Sequence, residues 1–165
     1  MTDTSTTPAG EYEAQFGDYF ALMKPRVMQL VVFTALVGML AAPVPVHPVI
    51  GFASILFVAI GAGASGALNM WWDADIDAIM TRTRKRPVPM QQLRPSLAIA
   101  TGVVFVAAAV TLMYALTNWV AATLMFAAAA TYVVVYTVIL KRRSWNNIVI
   151  GGAAGAVPPL AGWAA

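Results

Sequence analysis

Three residues of this 165-residue chain stand out for the chemistry they could do together: Asn69, Asp73 and Asp77. Their i, i+4, i+8 spacing puts them in one polar stripe if the segment is helical. Asp75 lies about 200° round from Asp73, at about 100° per residue, and faces elsewhere. The stripe is set in apolar sequence: no Asp, Glu, Lys or Arg occurs between Arg26 and Asp73, or between Arg94 and Lys141. Ionised groups are expensive near hydrocarbon, so carboxylates at the mouth of a membrane helix need a reason. Hard cations such as Mg²⁺ supply one, because they take oxygen ligands and are often held by one or two carboxylates plus substrate phosphates. The basic run that follows, Arg82, Arg84, Lys85 and Arg86, could clamp a diphosphate bidentately. The stretch from Asn69 to Pro89 therefore reads as a metal–diphosphate site, with Asn69, Asp73 and Asp77 as metal ligands and catalytic centre.

Plainer readings compete at each position. The acids could form a solvated helix end that answers the arginines, although acids at a helix C-terminus oppose the macrodipole. The basic run, and equally Lys141, Arg142 and Arg143, is what a cytoplasmic loop needs to set topology. His47, the only histidine, falls in a Pro-rich turn on the far side of the membrane from the acids, where an ordinary turn residue is expected. Haem ligation is the sharper alternative for it. Trp71, Trp72, Trp119 and Trp145 sit at span ends, where aromatic belts belong. The methionines read as packing residues.

The elements that must position the stripe follow from composition. Hydrophobic residues make up 60% of the chain and charged residues 10%, with a mean hydropathy of +0.74. A soluble domain carries about 25% charged residues, so the chain falls in the membrane class. The absence of cysteine excludes disulfides, a thiolate nucleophile and a Cys-type zinc site. The net charge of +3 does not indicate a nucleic-acid partner, because the positives lie in short loops between apolar spans. Residues 1–17 are polar and read as a disordered cytoplasmic tail, with no basic n-region of a cleavable signal. Asp18 to Arg26 suits an interfacial lead-in, and residues 18–165 form the membrane domain. Spans are expected at Val27–Ala42, Val49–Trp72, Leu97–Leu116 and Trp119–Leu140, with a fifth beginning at Asn147. Each approaches the 20 or so residues that cross about 30 Å of hydrocarbon. Gly61, Gly63, Ser65 and Gly66, and later Gly151-x-x-x-Gly155, offer small-residue faces for close helix packing. All ten Lys and Arg fall at the lead-in, the second-to-third loop or the fourth-to-fifth loop. By the positive-inside rule these regions are cytoplasmic, and the acids open to that side. No charge closes the fifth span, which suggests a chain that continues beyond Ala165.

Asn69-x-x-x-Asp73-x-x-x-Asp77, followed by Arg82-Thr83-x-x-Arg86-Pro87, resembles the first signature of the UbiA-type intramembrane prenyltransferases. Lys24-Pro25-Arg26-Val27 and Leu140–Ala165 resemble other parts of that family, and the closing Asn147–Pro159 stretch points to its haem-modifying branch. The resemblance covers nearly everything after the tail. It implies an all-α polytopic transmembrane bundle, about five spans present of an expected nine, and two Asp-rich motifs that hold Mg²⁺ on a prenyl diphosphate. The second motif does not occur in this chain. Arg82 and Arg86 match the family's basic residues after the first motif, and Lys141 matches its Lys-Arg pair after the fourth helix, so these three are expected on the diphosphate. The resemblance further implies farnesyl diphosphate and haem b as substrates and a bacterial inner-membrane setting. A membrane-protein partner in haem a synthesis belongs to the same expectation. An aromatic, quinone-precursor acceptor is the rival within the family. A cation-transport element and a non-catalytic membrane fragment are the rivals outside it.

Overall fold

A computed structural model describes residues 14–165. Most of the expected tail, residues 1–13, lies outside the described residues, and the first helix, α1, begins at Phe16 and ends at Leu22. The described residues fold as an all-helical bundle. After α1 come α2 (Pro25–Leu40), α3 (Pro48–Trp72), the short α4 (Ala74–Ile79), α5 (Pro95–Leu116) and α6 (Trp119–Ala130). A π-helical segment, Thr131–Leu140, continues α6, and α7 (Asn147–Ala164) ends the bundle.

Among the described residues, three helical stretches are long and apolar enough to cross a membrane: Pro48–Trp72, Pro95–Leu116 and Trp119–Leu140. The pair α1 and α2, bent by 58°, adds a fourth if counted as one broken span. Where the fifth span was expected, α7 begins at Asn147 and runs 18 residues with Pro158 and Pro159 inside it, but it is not among the helices long and apolar enough to cross.

Local chemistry sets the helix starts. Pro25, Pro48 and Pro95 each occupy the first turn of their helix, where the missing N–H costs nothing and φ is already helical. His47 is the N-cap of α3, its Nδ1 accepting from the Val49 N–H at 3.3 Å, so the single histidine has a structural task in its turn. Asn118 caps α6 in the same way, its Oδ1 accepting from the Ala121 N–H at 2.9 Å. Its Nδ2 donates to the Ala164 carbonyl at 2.6 Å and ties that turn to the end of α7.

The long α3 runs along α5 and α2, while α7 lies against α2 and α6. Ala35, Phe57, Val58, Ala109, Met113 and Met125 form the apolar core between them. A second cluster, including Leu22, Met70, Val88, Leu93 and Ala98, closes the end where the acids emerge. A close backbone approach joins α2 to α7. A methyl group added at Gly38 would sit 2.7 Å from the Pro159 carbonyl carbon, and one at Gly162 would sit 2.8 Å from that of Ala35. The expected small-residue faces divide in use. Gly63 and Gly66 receive the break between α1 and α2, against Met23 and Lys24, and Gly151 receives the Tyr136 ring. Gly155, by contrast, has open space in front of it and packs on no neighbouring helix. Close packing was expected there, but Gly155 lines a cavity instead.

Candidate metal and diphosphate site

The stripe crosses a helix break. Asp73 ends α3 and begins α4, with φ −90° and ψ 3°. Helical bonding nonetheless carries through the junction, from the Asp73 N–H to the Asn69 carbonyl at 3.1 Å and from the Asp77 N–H to the Asp73 carbonyl at 2.8 Å. The stripe therefore keeps its phase. Asn69, Asp73 and Asp77 are 2%, 1% and 3% exposed, whereas the Asp75 side chain is 65% exposed. The break also alters the electrostatics read from the sequence. Asp75 and Asp77 lie in the first turn of α4, where acids are favoured, so the macrodipole argument against a structural role applies at Asp73 alone.

Each member of the stripe meets one basic side chain from a different part of the chain. Lys24 Nζ donates to Asn69 Oδ1 from the break between α1 and α2. Lys141 Nζ donates to Asp73 Oδ2 from the end of the π-helical segment. Arg86 Nη1 donates to Asp77 Oδ2 from the loop after α4. Three basic groups thus face two carboxylates, an arrangement suited to an anion of higher charge. Lys24 reaches its place from a left-handed backbone (φ 52°, ψ 65°) that non-glycine residues rarely adopt. Such strain gathers at functional sites, where the surrounding structure holds it. The loop that returns Arg86 is pinned by buried Thr83, whose hydroxyl donates to the Asp77 carbonyl at 3.2 Å, and by buried Val88 and Leu93.

Two members of the site escaped sequence reasoning. Lys24 figured there only in the lead-in and in a segment resembling the family, with no site role, and Thr137 not at all. Thr137 is fully buried and accepts from Asn69 Nδ2 at 2.9 Å. Lys24-Pro25 carried a faint signal, because the residue before a proline is pushed out of the helical region. Arg142 stands one step outside the stripe. Its Nη1 and Nη2 bond the two Asp75 oxygens at 3.1 and 2.7 Å, Nη2 also reaches the Trp72 carbonyl at 2.7 Å, and its guanidinium lies 5.5 Å from the Trp72 ring centroid. The hydrogen bonds from Arg142 hold the Asp75 carboxyl below its ordinary pKa. Among the predicted diphosphate residues, Arg86 and Lys141 come to the stripe and Arg82 does not. Arg82 is exposed, as are Arg84 and Lys85.

The donor set fits Mg²⁺. Among the described residues no three His, Cys, Asp or Glu side chains converge, and Asn69 supplies the third oxygen beside two carboxylates. Asp73 Oδ1 is buried without a hydrogen-bond partner among those residues. A buried acceptor left open demands an explanation, and a hard cation is one. Behind the stripe opens an apolar chamber of about 230 Å³, whose lining includes Lys24, Ser65, Tyr132, Gly155 and Pro158. Pro158 and Pro159 lack the N–H groups that would bond the carbonyls four residues back, at Ala154 and Gly155 on the chamber wall.

The chain is similar to known proteins. Protoheme IX farnesyltransferase of Roseobacter denitrificans is 61% identical over 160 residues, which are 97% of this chain and 51% of that protein. The enzyme of the same name from Jannaschia is 59% identical over 166 residues, covering all of this chain and 53% of its own length. That of Ruegeria pomeroyi is 61% identical over 153 residues, or 93% and 48%. The chain spans about half the length of the curated relatives it matches. Among solved structures, a UbiA homolog from Archaeoglobus fulgidus bound to DMAPP and Mg²⁺ superposes with a TM-score of 0.79 at 17% identity. The match covers 89% of this chain and 54% of that one, and establishes a common fold. The model of the UbiA prenyltransferase family matches residues 31–165, which include the whole acid stripe, and the chain belongs to that family.

Proposed function

We propose that this chain carries the first half of an enzyme that transfers a farnesyl group from farnesyl diphosphate to a vinyl group of haem b, giving haem O. The strongest support is one observation: Asn69, Asp73 and Asp77 are buried in one stripe, each with its own basic partner, in a chain about 60% identical to proteins named protoheme IX farnesyltransferase. The similarly folded archaeal homolog is a complex with DMAPP and Mg²⁺, which agrees with a metal-assisted prenyl transfer.

In this reading Asn69, Asp73 and Asp77 hold Mg²⁺, which when bound supplies the Lewis acidity that neutralises the diphosphate. Arg86 and Lys141 exchange their carboxylate partners for diphosphate oxygens as charge develops on the leaving group. The family resemblance assigns Arg82 to the diphosphate as well, but it is exposed and away from the stripe, so it would take that role only if its loop closed over bound substrate. The C1–O bond breaks with its electron pair leaving on the diphosphate. The vinyl π pair forms the new C–C bond to C1, and water adds to the resulting cation and releases a proton, leaving a hydroxyethylfarnesyl group. The apolar chamber behind Lys24 keeps water from the allylic cation until the vinyl group arrives. The N-terminus and both basic loops lie on the cytoplasmic side of a bacterial inner membrane, which places the site within reach of a soluble diphosphate.

The test is chromatography of haems from membranes given haem b, farnesyl diphosphate and Mg²⁺. The chain is expressed alone and together with the second half of the Roseobacter denitrificans relative. Haem O is expected from the paired halves. Prenylation of 4-hydroxybenzoate in place of haem b would move the reading to the quinone-precursor branch.

A further inference from the structure

Thr137 is a fully buried polar residue that neither the metal set nor the diphosphate cations use. Its hydroxyl has one proton to give, and that proton goes to the Tyr132 carbonyl at 2.8 Å. The acceptor is five residues back, one residue further than the i−4 carbonyl that Thr side chains usually find in an α-helix. The π-helical geometry of Thr131–Leu140 brings it within reach. With its proton committed, Thr137 Oγ1 can only accept from what faces it, which is the Asn69 side chain at 2.9 Å. The two ends of an amide have nearly the same shape, and their assignment follows from the hydrogen-bond network. Here the count of protons decides it: the NH₂ end faces Thr137, and Oδ1 is turned towards Lys24.

We infer that Thr137 is a positioning residue, which holds the Asn69 amide so that its oxygen, not its N–H groups, is offered to a cation at the stripe. A flipped amide would turn two donors towards Lys24 and the metal, and would set Oδ1 against a hydroxyl with no proton left to give. The orientation stands on the hydrogen bonds alone. Its consequence for metal binding rests on the reading proposed above.

The test uses the chain in lipid nanodiscs, labelled with ¹⁵N-asparagine. Only four asparagines are present, Asn69, Asn118, Asn146 and Asn147, and the Asn69 side-chain signal is identified by its loss in Asn69→Asp. Thr137→Val keeps the shape and removes the hydroxyl, and Thr137→Ser restores it. The Asn69 NH₂ signal should move in the valine variant and return in the serine variant, with no ligand present. Should valine fail to insert, Thr137→Ala makes the same comparison. An unmoved signal, or equal displacement by valine and serine, overturns the orientation. The second reading is the Mg²⁺ concentration that half-saturates retention of farnesyl diphosphate. Loss of a hydrogen bond that leaves a buried donor unmet should raise it about tenfold in valine and leave serine within about twofold. A displaced signal with unchanged Mg²⁺ dependence overturns the positioning role. Absence of any Mg²⁺-dependent retention by the unmodified chain counts against the proposed function, while the NMR comparison still decides the orientation.

Discussion

Two basic segments flank the acid stripe, Arg82–Arg86 after α4 and Lys141–Arg143 after the π-helical segment, and they use their charges differently. In the first, one of four basic residues reaches a buried acid: Arg86 meets Asp77, while Arg82, Arg84 and Lys85 point into the open. In the second, two of three are engaged. Lys141 meets Asp73, and Arg142 binds Asp75 and the Trp72 carbonyl, on both sides of the helix break. Both runs are what the positive-inside rule asks for, so neither run as a whole shows which charge does chemistry. Position relative to a rigid element does. Lys141 directly follows a helix that packs against α3, whereas Arg86 comes back through a loop anchored by Thr83.

The strongest way to break the comparison removes what both segments reach for. Asp73→Asn or Asp77→Asn should lower haem O formation by a thousandfold or more, about 4 kcal/mol of transition-state stabilisation. Membrane insertion, followed by protease protection of the loops, should be unchanged. Near-normal turnover in either variant would remove Asp73 and Asp77 from the metal. Next in size come the partners themselves. Lys141→Met and Arg86→Met each remove a cation that would stabilise charge on the leaving diphosphate, so turnover should fall upward of a hundredfold, about 3 kcal/mol of transition-state stabilisation. Added Mg²⁺ should recover part of it, because the metal then meets less competition at the vacated oxygen. Failure of Mg²⁺ to recover any activity would mean that these cations serve the diphosphate alone.

The same two segments show how far sequence alone reaches. The i, i+4, i+8 spacing located the stripe, and the phase of Asp75 was right, because backbone bonding continues through the break at Asp73. The span limits followed, to within a residue or two, from apolar runs and the prolines, turns and charges that interrupt them, which are local signals. The π-helical register of Thr131–Leu140 left no such mark: an apolar run such as Tyr132 to Leu140 reads alike in α and π form. Thr137 was therefore invisible as a partner of Asn69, 68 residues away in the chain. Lys24 was hidden for a related reason, since its contact depends on the 58° bend between α1 and α2. The difference between Arg82 and Arg86 was equally out of reach, because a loop's path is set by buried Thr83, Val88 and Leu93 rather than by helical period.

A smaller effect separates scaffold from chemistry in the second segment. Arg142→Gln and Asp75→Asn each remove the clasp across the helix break. The Asp75 side chain is exposed and such pairs contribute little, so the Michaelis constant for farnesyl diphosphate should rise by no more than about fivefold with turnover little changed. The double variant should be no worse than Arg142→Gln alone, since that change already deletes the Asp75 pair along with the Trp72 contacts. Additive losses would show that Asp75 or Arg142 touches substrate directly.

The smallest expected effect tests the first segment. Arg82→Ala should change turnover no more than about threefold if the exposed loop stays where it is, against a hundredfold for Arg86. Both arginines match the family motif, so the sequence treats them alike and only their surroundings differ. An equal loss at the two positions would carry a specific meaning. Arg82 could act on the diphosphate only if residues 80–85 fold over the stripe when substrate binds. Protease cleavage after Arg82 or Arg84 should then be suppressed by farnesyl diphosphate with Mg²⁺. A small loss together with unchanged cleavage would leave Arg82 a topological charge, and Arg86 the one arginine of this loop that works at the site.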